Sequence, residues 1–259
     1  MEDAEQKYGK ESIIKLMDVL DNHIPLPERD FKSPFLMPIE KSVSVPGRGQ
    51  VLVGTVQRGT AKKGDQLEIV GFDEVIKTGI SEIHIFNNSV TECKSGENCG
   101  ILARGIKPNM IQRGMMVAAP NSVQQTDHFE ASVYVLKKNE GGRAKPIIKG
   151  YIQPFYTKTV TISSNLQLID EKDMLMPGDH ANVKFILKNP IVILPGDRFT
   201  IREGHTLTSI TGVVSKVLPK SNISIFGFNK MRPINPNLKR QEKSNAPKSD
   251  KTVKKTTKK

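Results

Sequence analysis

Between Val45 and Gly71 the chain sets three turn signals among two β-rich runs: Val45-Pro46-Gly47-Arg48-Gly49, Arg58-Gly59 and Lys63-Gly64-Asp65. No long helix survives such punctuation, because proline removes a backbone donor and glycine loses more conformational freedom on ordering than any other residue. The runs Gln50 to Arg58 and Asp65 to Val70 are therefore expected to be strands joined by tight turns, a surface built to bind. The pattern extends along the chain. Strands are expected at Val51 to Val56, Leu67 to Val70, Ile80 to Phe86, Cys99 to Leu102 and Met115 to Ala118. A second set follows at Phe129 to Leu136, Ile147 to Tyr151, Thr157 to Ile162, Ala181 to Leu187, Arg198 to Arg202 and Ile210 to Val217, with the boundary at Asn121 to Asp127. Short strands separated by Gly-containing turns are the spacing of closed barrels.

The ends differ from this body. Ile13, Leu16, Met17 and Leu20 share one face of a predicted helix over Glu11 to Leu20. A helix shorter than about 12 to 15 residues is marginal alone, so this one needs a partner surface. His23 to Lys32, with Pro25 and Pro27, reads as an extended linker. After Leu218 the periodicity stops and Pro, Asn, Ser and Lys dominate. The fold class expected is all-β: two consecutive antiparallel β-barrels, preceded by a short amphipathic helix and followed by a disordered basic tail.

From Pro219 onward 12 Lys or Arg face only Glu242 and Asp250, so the tail carries +10 of the chain's formal +12. A near-neutral body with a basic tail points to a polyanionic partner, most often nucleic acid. No apolar run reaches the roughly 18 to 20 residues of a membrane-spanning helix. The acidic start, Met1-Glu2-Asp3-Ala4-Glu5, resembles neither a secretory signal nor a transit peptide. Cys93 and Cys99 have no second Cys pair to complete a tetrahedral zinc site and read as two ordinary reduced thiols in a β-domain. His23, His84, His128, His180 and His205 are scattered, and no G-x-S-x-G nucleophile motif occurs.

Phe35-Leu36-Met37-Pro38-Ile39-Glu40, Gly47-Arg48-Gly49, Arg58-Gly59, Gly96-Glu97-Asn98-Cys99-Gly100, Arg104-Gly105, Glu140-Gly141-Gly142-Arg143, Met176-Pro177-Gly178-Asp179 and Arg202-Glu203-Gly204 follow one another in a recognisable order. Over roughly residues 10 to 218 the chain resembles translation elongation factor Tu, from the end of its GTPase domain to its C-terminus. The resemblance implies a last GTPase-domain helix plus linker at 1–33, a first barrel at 34–121, a second barrel at 122–218 and a basic extension at 219–259. It also implies a module that carries aminoacyl-tRNA to the ribosome, with nucleotide-exchange factor Ts as a further partner and neither membrane nor DNA.

GTP chemistry in that family needs a P-loop, a D-x-x-G and an N-K-x-D. Gly9-Lys10 lacks the earlier Gly and the following Ser or Thr, no Asp has Gly three residues later, and Asn229-Lys230-Met231-Arg232 ends in Arg. The expectation is a chain that is not an enzyme as given, without cofactor, GTP and Mg belonging to an absent domain. The basic tail resembles extensions of mitochondrial members, which implies the mitochondrial matrix; the cytoplasm is the alternative.

By the same resemblance the aminoacyl-tRNA end would lie against Glu40, Lys41, Val43, His84 and Asn98. Here Lys41 stands for a small or acidic residue, Val43 for an aromatic, His84 for Glu and Asn87 for Arg, while Glu40 and Asn98 match. A barrel-rim carboxylate and a turn amide are the structural alternatives for those last two. The tRNA backbone would meet Lys158, Arg202 and Gly204, with Lys239, Arg240, Lys254 and Lys255 of the tail adding phosphate contacts without base reading. Arg202 can instead pair with acidic neighbours, and the tail can serve solubility alone. A second functional class stays open: a protein-interaction module that docks a translation partner without binding tRNA.

Overall fold

The structure, a computed structural model, describes residues 8–86, 88–169, 173–204 and 206–221. Among the described residues the helix α1 (Lys10–His23) precedes the strands, and none of its residues is buried. It outruns the expected Glu11 to Leu20 by a residue at the front and three at the back.

The first strand set comprises β1 (Leu36–Pro38), β2 (Lys41–Val45), β3 (Gly49–Thr55), β4 (Thr60–Lys62), β5 (Gln66–Gly71), β6 (Glu74–Ile85), β7 (Asn88–Val90), β8 (Glu92–Lys94), β9 (Asn98–Ala103) and β10 (Met116–Ala118). Eight of these form one antiparallel sheet in the order β1-β10-β5-β6-β9-β3-β2, with β7 added to β6, while β4 and β8 pair separately. The two ends of that sheet, β1 and β2, are consecutive in the chain with only Ile39 and Glu40 between them. The sheet therefore wraps round and is joined by the covalent chain, with no hydrogen-bonded ladder at the join.

The second set comprises β11 (Gln125–Val135), β12 (Ile147–Ile148), β13 (Tyr151–Thr157), β14 (Val160–Leu168), β15 (Met174–Leu175), β16 (His180–Val192), β17 (Arg198–Glu203) and β18 (Leu207–Val217). Six of them close a barrel, β11-β16-β14-β13-β17-β18, every neighbouring pair antiparallel. Two expected strands are corrected here. Ile147 to Tyr151 breaks at Gly150, whose φ of 82° suits glycine and ends β12. Thr157 to Ile162 straddles the β13–β14 hairpin, because Lys158 adopts φ 46° and turns the chain.

β13 itself was hidden by Pro154, since proline argues against a central strand. It is tolerated because β13 pairs with β17 only at Phe155 and Tyr156, leaving one edge free beside Pro154. The short strands β1, β2, β4, β7, β8 and β15 likewise carried too few residues to show an alternating pattern.

Each set encloses its own core. Phe129, Phe155, Phe185 and Phe199 fill the second, whereas Met37, Leu52, Ile69, Ile83 and Ile101 fill the first. Between them Leu36, Val70, Met116, Ala118 and Val192 form a small buried cluster. Phe72, at a turn with φ 54°, packs against both cores, and its N–H donates to the Pro190 carbonyl (2.9 Å). On the other side a Cβ at Gly114 would lie 2.7 Å from Val160. The two cores are thus joined by apolar contact on both flanks, which holds the faces described next in a fixed relation.

Candidate RNA-binding faces

At the join of the first sheet the chain changes partners between adjacent residues. The Ile39 N–H donates to the Met115 carbonyl (2.9 Å), on the β10 side, whereas the Glu40 N–H donates to the Val53 carbonyl (2.9 Å) of β3. The crossing runs over Gly54, where a Cβ would stand 2.1 Å from the Pro38 carbonyl oxygen. Only a residue without a side chain admits that approach. The seam sets the Glu40 carboxylate beside the end of β3. Thr55 Oγ1 donates to Glu40 Oε1 (3.0 Å) and accepts from Asn98 Nδ2 (3.0 Å), giving a three-residue chain from β9 across β3 to the seam.

The other expected pocket residues fall on the same side. Lys41, Val53, Gly100 and His84 are successive register partners on β2, β3, β9 and β6. Val43, Val51, Leu102 and Glu82 form the neighbouring row. Register partners, and residues two apart on one strand, project from one face of a sheet. Lys41, Val43, His84 and Asn98, far apart in sequence, thus share one outer face with Glu40 at its edge. Gly100 stands in the middle of the row, where a Cβ would lie 3.0 Å from Val51 Cγ1.

The charges on this face are partly paired. Glu82 accepts from Arg48 Nη2 (2.5 Å) and lies 3.1 Å from His84 Nε2. The hydrogen bond to His84, and then that to Arg48, holds the Glu82 carboxyl below its ordinary value. Lys41 is exposed and forms no ion pair among the described residues. Val43 is 38% exposed and offers aliphatic surface only. The face combines a β-branched floor with a polar end at Glu40, Thr55 and Asn98. It can receive a flat or apolar group beside the Thr55 hydroxyl.

On the second barrel the register links Thr161, Tyr156, Thr200, Thr211, Tyr134 and His180 in one belt that crosses all six strands. Single-strand patterning did not single it out, because each strand contributes one residue. Arg202 stands over the Tyr156 ring, 5.6 Å from its centroid. Lys158 has a structural partner instead of a free charge: its Nζ lies 2.7 Å from Asp197 Oδ2, with the two side chains 14% and 7% exposed. The Leu194 N–H donates to the same Asp197 oxygen (2.9 Å). Beside this pair opens a cleft of about 450 Å³ lined by Arg113, Tyr156, Lys158, Thr161 and Arg198. Arg113 and Arg198 are exposed and form no ion pair among the described residues. Neither was singled out by sequence reasoning; a lone Arg in Gln112-Arg113-Gly114 gives no sign that it will face β13.

Gly204, with φ 59°, turns the chain after β17. Its neighbour Glu203 accepts from Arg143 Nη1 (2.5 Å) and from the Tyr151 hydroxyl, which also lies 2.8 Å from Ser209 Oγ. Burial first, then the hydrogen bond to Glu203, pushes the Tyr151 hydroxyl up to about 12. This network fixes the base of the Arg202 to Gly204 turn.

Asn87, His205, Phe226 to Phe228, Lys239, Arg240, Lys254 and Lys255 lie outside the described residues. The last described residues leave from the junction of the barrels: Lys220 Nζ pairs with Asp73 (2.6 Å), and the Ser221 N–H donates to Asp127 (2.6 Å). Among the described residues no His, Cys, Asp and Glu cluster could hold a metal ion, and no helix is long and apolar enough to cross a membrane.

Two antiparallel β-barrels packed on a shared apolar seam, each with a polar outer face, define a tandem-barrel module. Residues 49–118 match the family model of elongation factor Tu domain 2, and residues 122–218 match that of the elongation factor Tu C-terminal domain. The chain therefore carries a translation elongation factor module of the elongation factor Tu family. The seam strands β1 and β2 precede the first matched range.

Proposed function

We propose that this chain binds aminoacyl-tRNA for delivery to the ribosome, the acylated end lying on the β2–β3–β9–β6 face and the RNA backbone crossing the second barrel. The observation that carries the reading is the convergence of Glu40, Lys41, Val43, His84 and Asn98 on one face, with Glu40 and Asn98 joined through Thr55. The belt of hydroxyls suits A-form RNA, which is recognised through phosphates and 2′-hydroxyls more than through base edges. Arg113 and Arg198 supply the unpaired charge at the cleft, while Lys158 positions the β13–β14 turn through Asp197. Arg202, with Gly204 behind it, offers its cation beside Tyr156, and the basic residues from Lys239 to Lys255 extend the phosphate contacts. The GTP-dependent step belongs to a domain other than these two.

Filter binding of charged and uncharged tRNA across a salt series tests this. The expected result is tighter binding of the charged form and a log–log salt slope that Arg113→Ala reduces by about 1. Equal affinity for both forms, with no salt slope, would remove the proposal. A second reading rests on α1, where Ile13, Ile14, Leu16, Met17, Val19 and Leu20 are all exposed. Such a stripe favours a protein partner on the helix. Indifference to tRNA, together with a stable protein complex lost on Leu16→Glu, would favour that class.

A further inference from the structure

The most exposed aromatic ring among the described residues is Phe86, 88% exposed where β6 turns into β7. Ile85 pairs with Asn88, so the chain reverses within two residues, and Phe86 takes the first of them with φ 47°. Two-residue reversals favour asparagine, aspartate or glycine there, because a bulky side chain in the left-handed region is strained. Backbone strain of this kind clusters at binding sites. Nor is the ring engaged inside the fold. Tyr134 lies 4.7 Å from the His180 ring and Tyr156 sits under Arg202, whereas Phe86 makes no ring contact among the described residues.

Register sets where the hairpin tip stands. Continued one step past the end of β6, the alternation of Glu82 and His84 on the outer face reaches Phe86. His84 pairs with Gly100 and Thr55 pairs with Asn98, so the position opposite Asn98 on the β6 side is that of Phe86. Neighbouring strands lie about 4.8 Å apart, which puts the tip one strand beyond Asn98 and two beyond Thr55. The hydrogen-bonded chain of Glu40, Thr55 and Asn98 therefore runs toward Phe86.

We propose that Phe86 is the stacking platform of this face and takes an unpaired nucleobase at the acylated end of the RNA. The inference rests on the tRNA reading above and adds the residue that holds the base. A base laid on the ring leaves its sugar beside Asn98, Thr55 and Glu40, whose amide, hydroxyl and carboxylate can exchange hydrogen bonds with ribose hydroxyls. Lys41, exposed and without an ion pair among the described residues, supplies a cation for the adjoining phosphate. A ring bordered by sugar-directed polar groups and an unpaired cation suits a nucleotide more than an apolar protein surface. Val43 offers aliphatic surface only, so the stacking surface of this face lies at the hairpin tip. Stacking tolerates any base, and the platform distinguishes unpaired from paired nucleotides rather than one sequence from another.

Because the chain contains no tryptophan, Phe86→Trp installs a single fluorescent reporter at the site. Charged tRNA titrated onto this full-length variant should quench the indole emission in step with filter binding. Phe86→Ala should weaken charged-tRNA binding about tenfold while leaving the salt slope unaltered, since no charge is removed. Phe86→Tyr keeps the π-face and should restore the affinity. Phe86→Gly relieves the left-handed strain, so its melting temperature should hold or rise while its tRNA binding falls as in Phe86→Ala. Bound tRNA with unquenched emission, or unchanged affinity in Phe86→Ala, would overturn the stacking role and leave the tRNA reading standing. A lower melting temperature in Phe86→Gly would make the ring a structural element and overturn it too. A protein complex lost on Phe86→Ala, with tRNA affinity unchanged, would assign the ring to a protein interface instead. Failure of the tRNA reading itself is seen separately, as absent binding in the parent chain before any substitution, and it removes this inference as well.

Discussion

The two barrels close in different ways. The second closes through six hydrogen-bonded ladders around four phenylalanines, Phe129, Phe155, Phe185 and Phe199, whose ring centroids lie 4.8 to 6.2 Å apart. The first closes through the covalent chain at Ile39 and Glu40, around aliphatic and sulfur-bearing side chains. A ladder satisfies backbone groups pair by pair and leaves a uniform wall. A seam switches partners within one residue and leaves a side chain at the break. That side chain is Glu40, and it anchors the Glu40, Thr55 and Asn98 chain. The candidate aminoacyl-end face thus sits where the first barrel is least regular, while the second offers a belt on an unbroken wall.

Substitutions probe this contrast unequally. Phe129→Ala removes the ring that contacts the other three and should lower unfolding free energy by about 3–5 kcal/mol. Denaturant titration would show a fall in midpoint; a shift within error would mean that the ring cluster does not hold the second barrel. Gly54→Ala drives a methyl into the Pro38 carbonyl and should cost about 1–3 kcal/mol by overpacking. Amide exchange at Ile39 and Glu40 should rise with it, and unaltered exchange there would remove the steric account of the seam.

Val43→Phe places an aromatic on the exposed floor beside Lys41 and should tighten charged-tRNA binding by roughly 1–3 kcal/mol if a base stacks there. Unchanged affinity in filter binding would exclude Val43 from the contact. Tyr151→Phe should cost about 1 kcal/mol through loss of the hydrogen bond to Glu203. The Tyr151 hydroxyl is raised in the folded chain from an ordinary value of 10 to about 12. Its contribution is therefore complete below about pH 10 and fades as pH climbs toward 12. Alkaline melts of the parent should show that loss and those of Tyr151→Phe should not; parallel curves would disprove the assignment.

Parts of this were legible in advance. The hairpin at Pro46-Gly47 and the turn at Lys63-Gly64 follow from local turn chemistry, and the second half of β6 and most of β11 and β18 from their content of β-branched residues. The β13 strand was not legible, because Pro154 argues against it until the missing β17 partner on one edge is known. The hairpin at Lys158 was hidden for a related reason, since its left-handed backbone carries a lysine where glycine is the usual signal. The five pocket positions were named through family resemblance. Their convergence on one face is a fact of register, which a linear pattern cannot supply.

The sequence by itself determined the all-β class, the division into two strand sets, the turns, and a near-neutral body with a basic tail, because these follow from short-range sterics and composition. Tertiary structure decided which residues meet. It made the first barrel a seam and the second a ladder, gave Lys158 to Asp197, and set Arg113 against β13. Those outcomes depend on long-range strand pairing. A shift of one residue in register turns every side chain of a strand to the opposite face, so only the assembled barrels fix the composition of each candidate face.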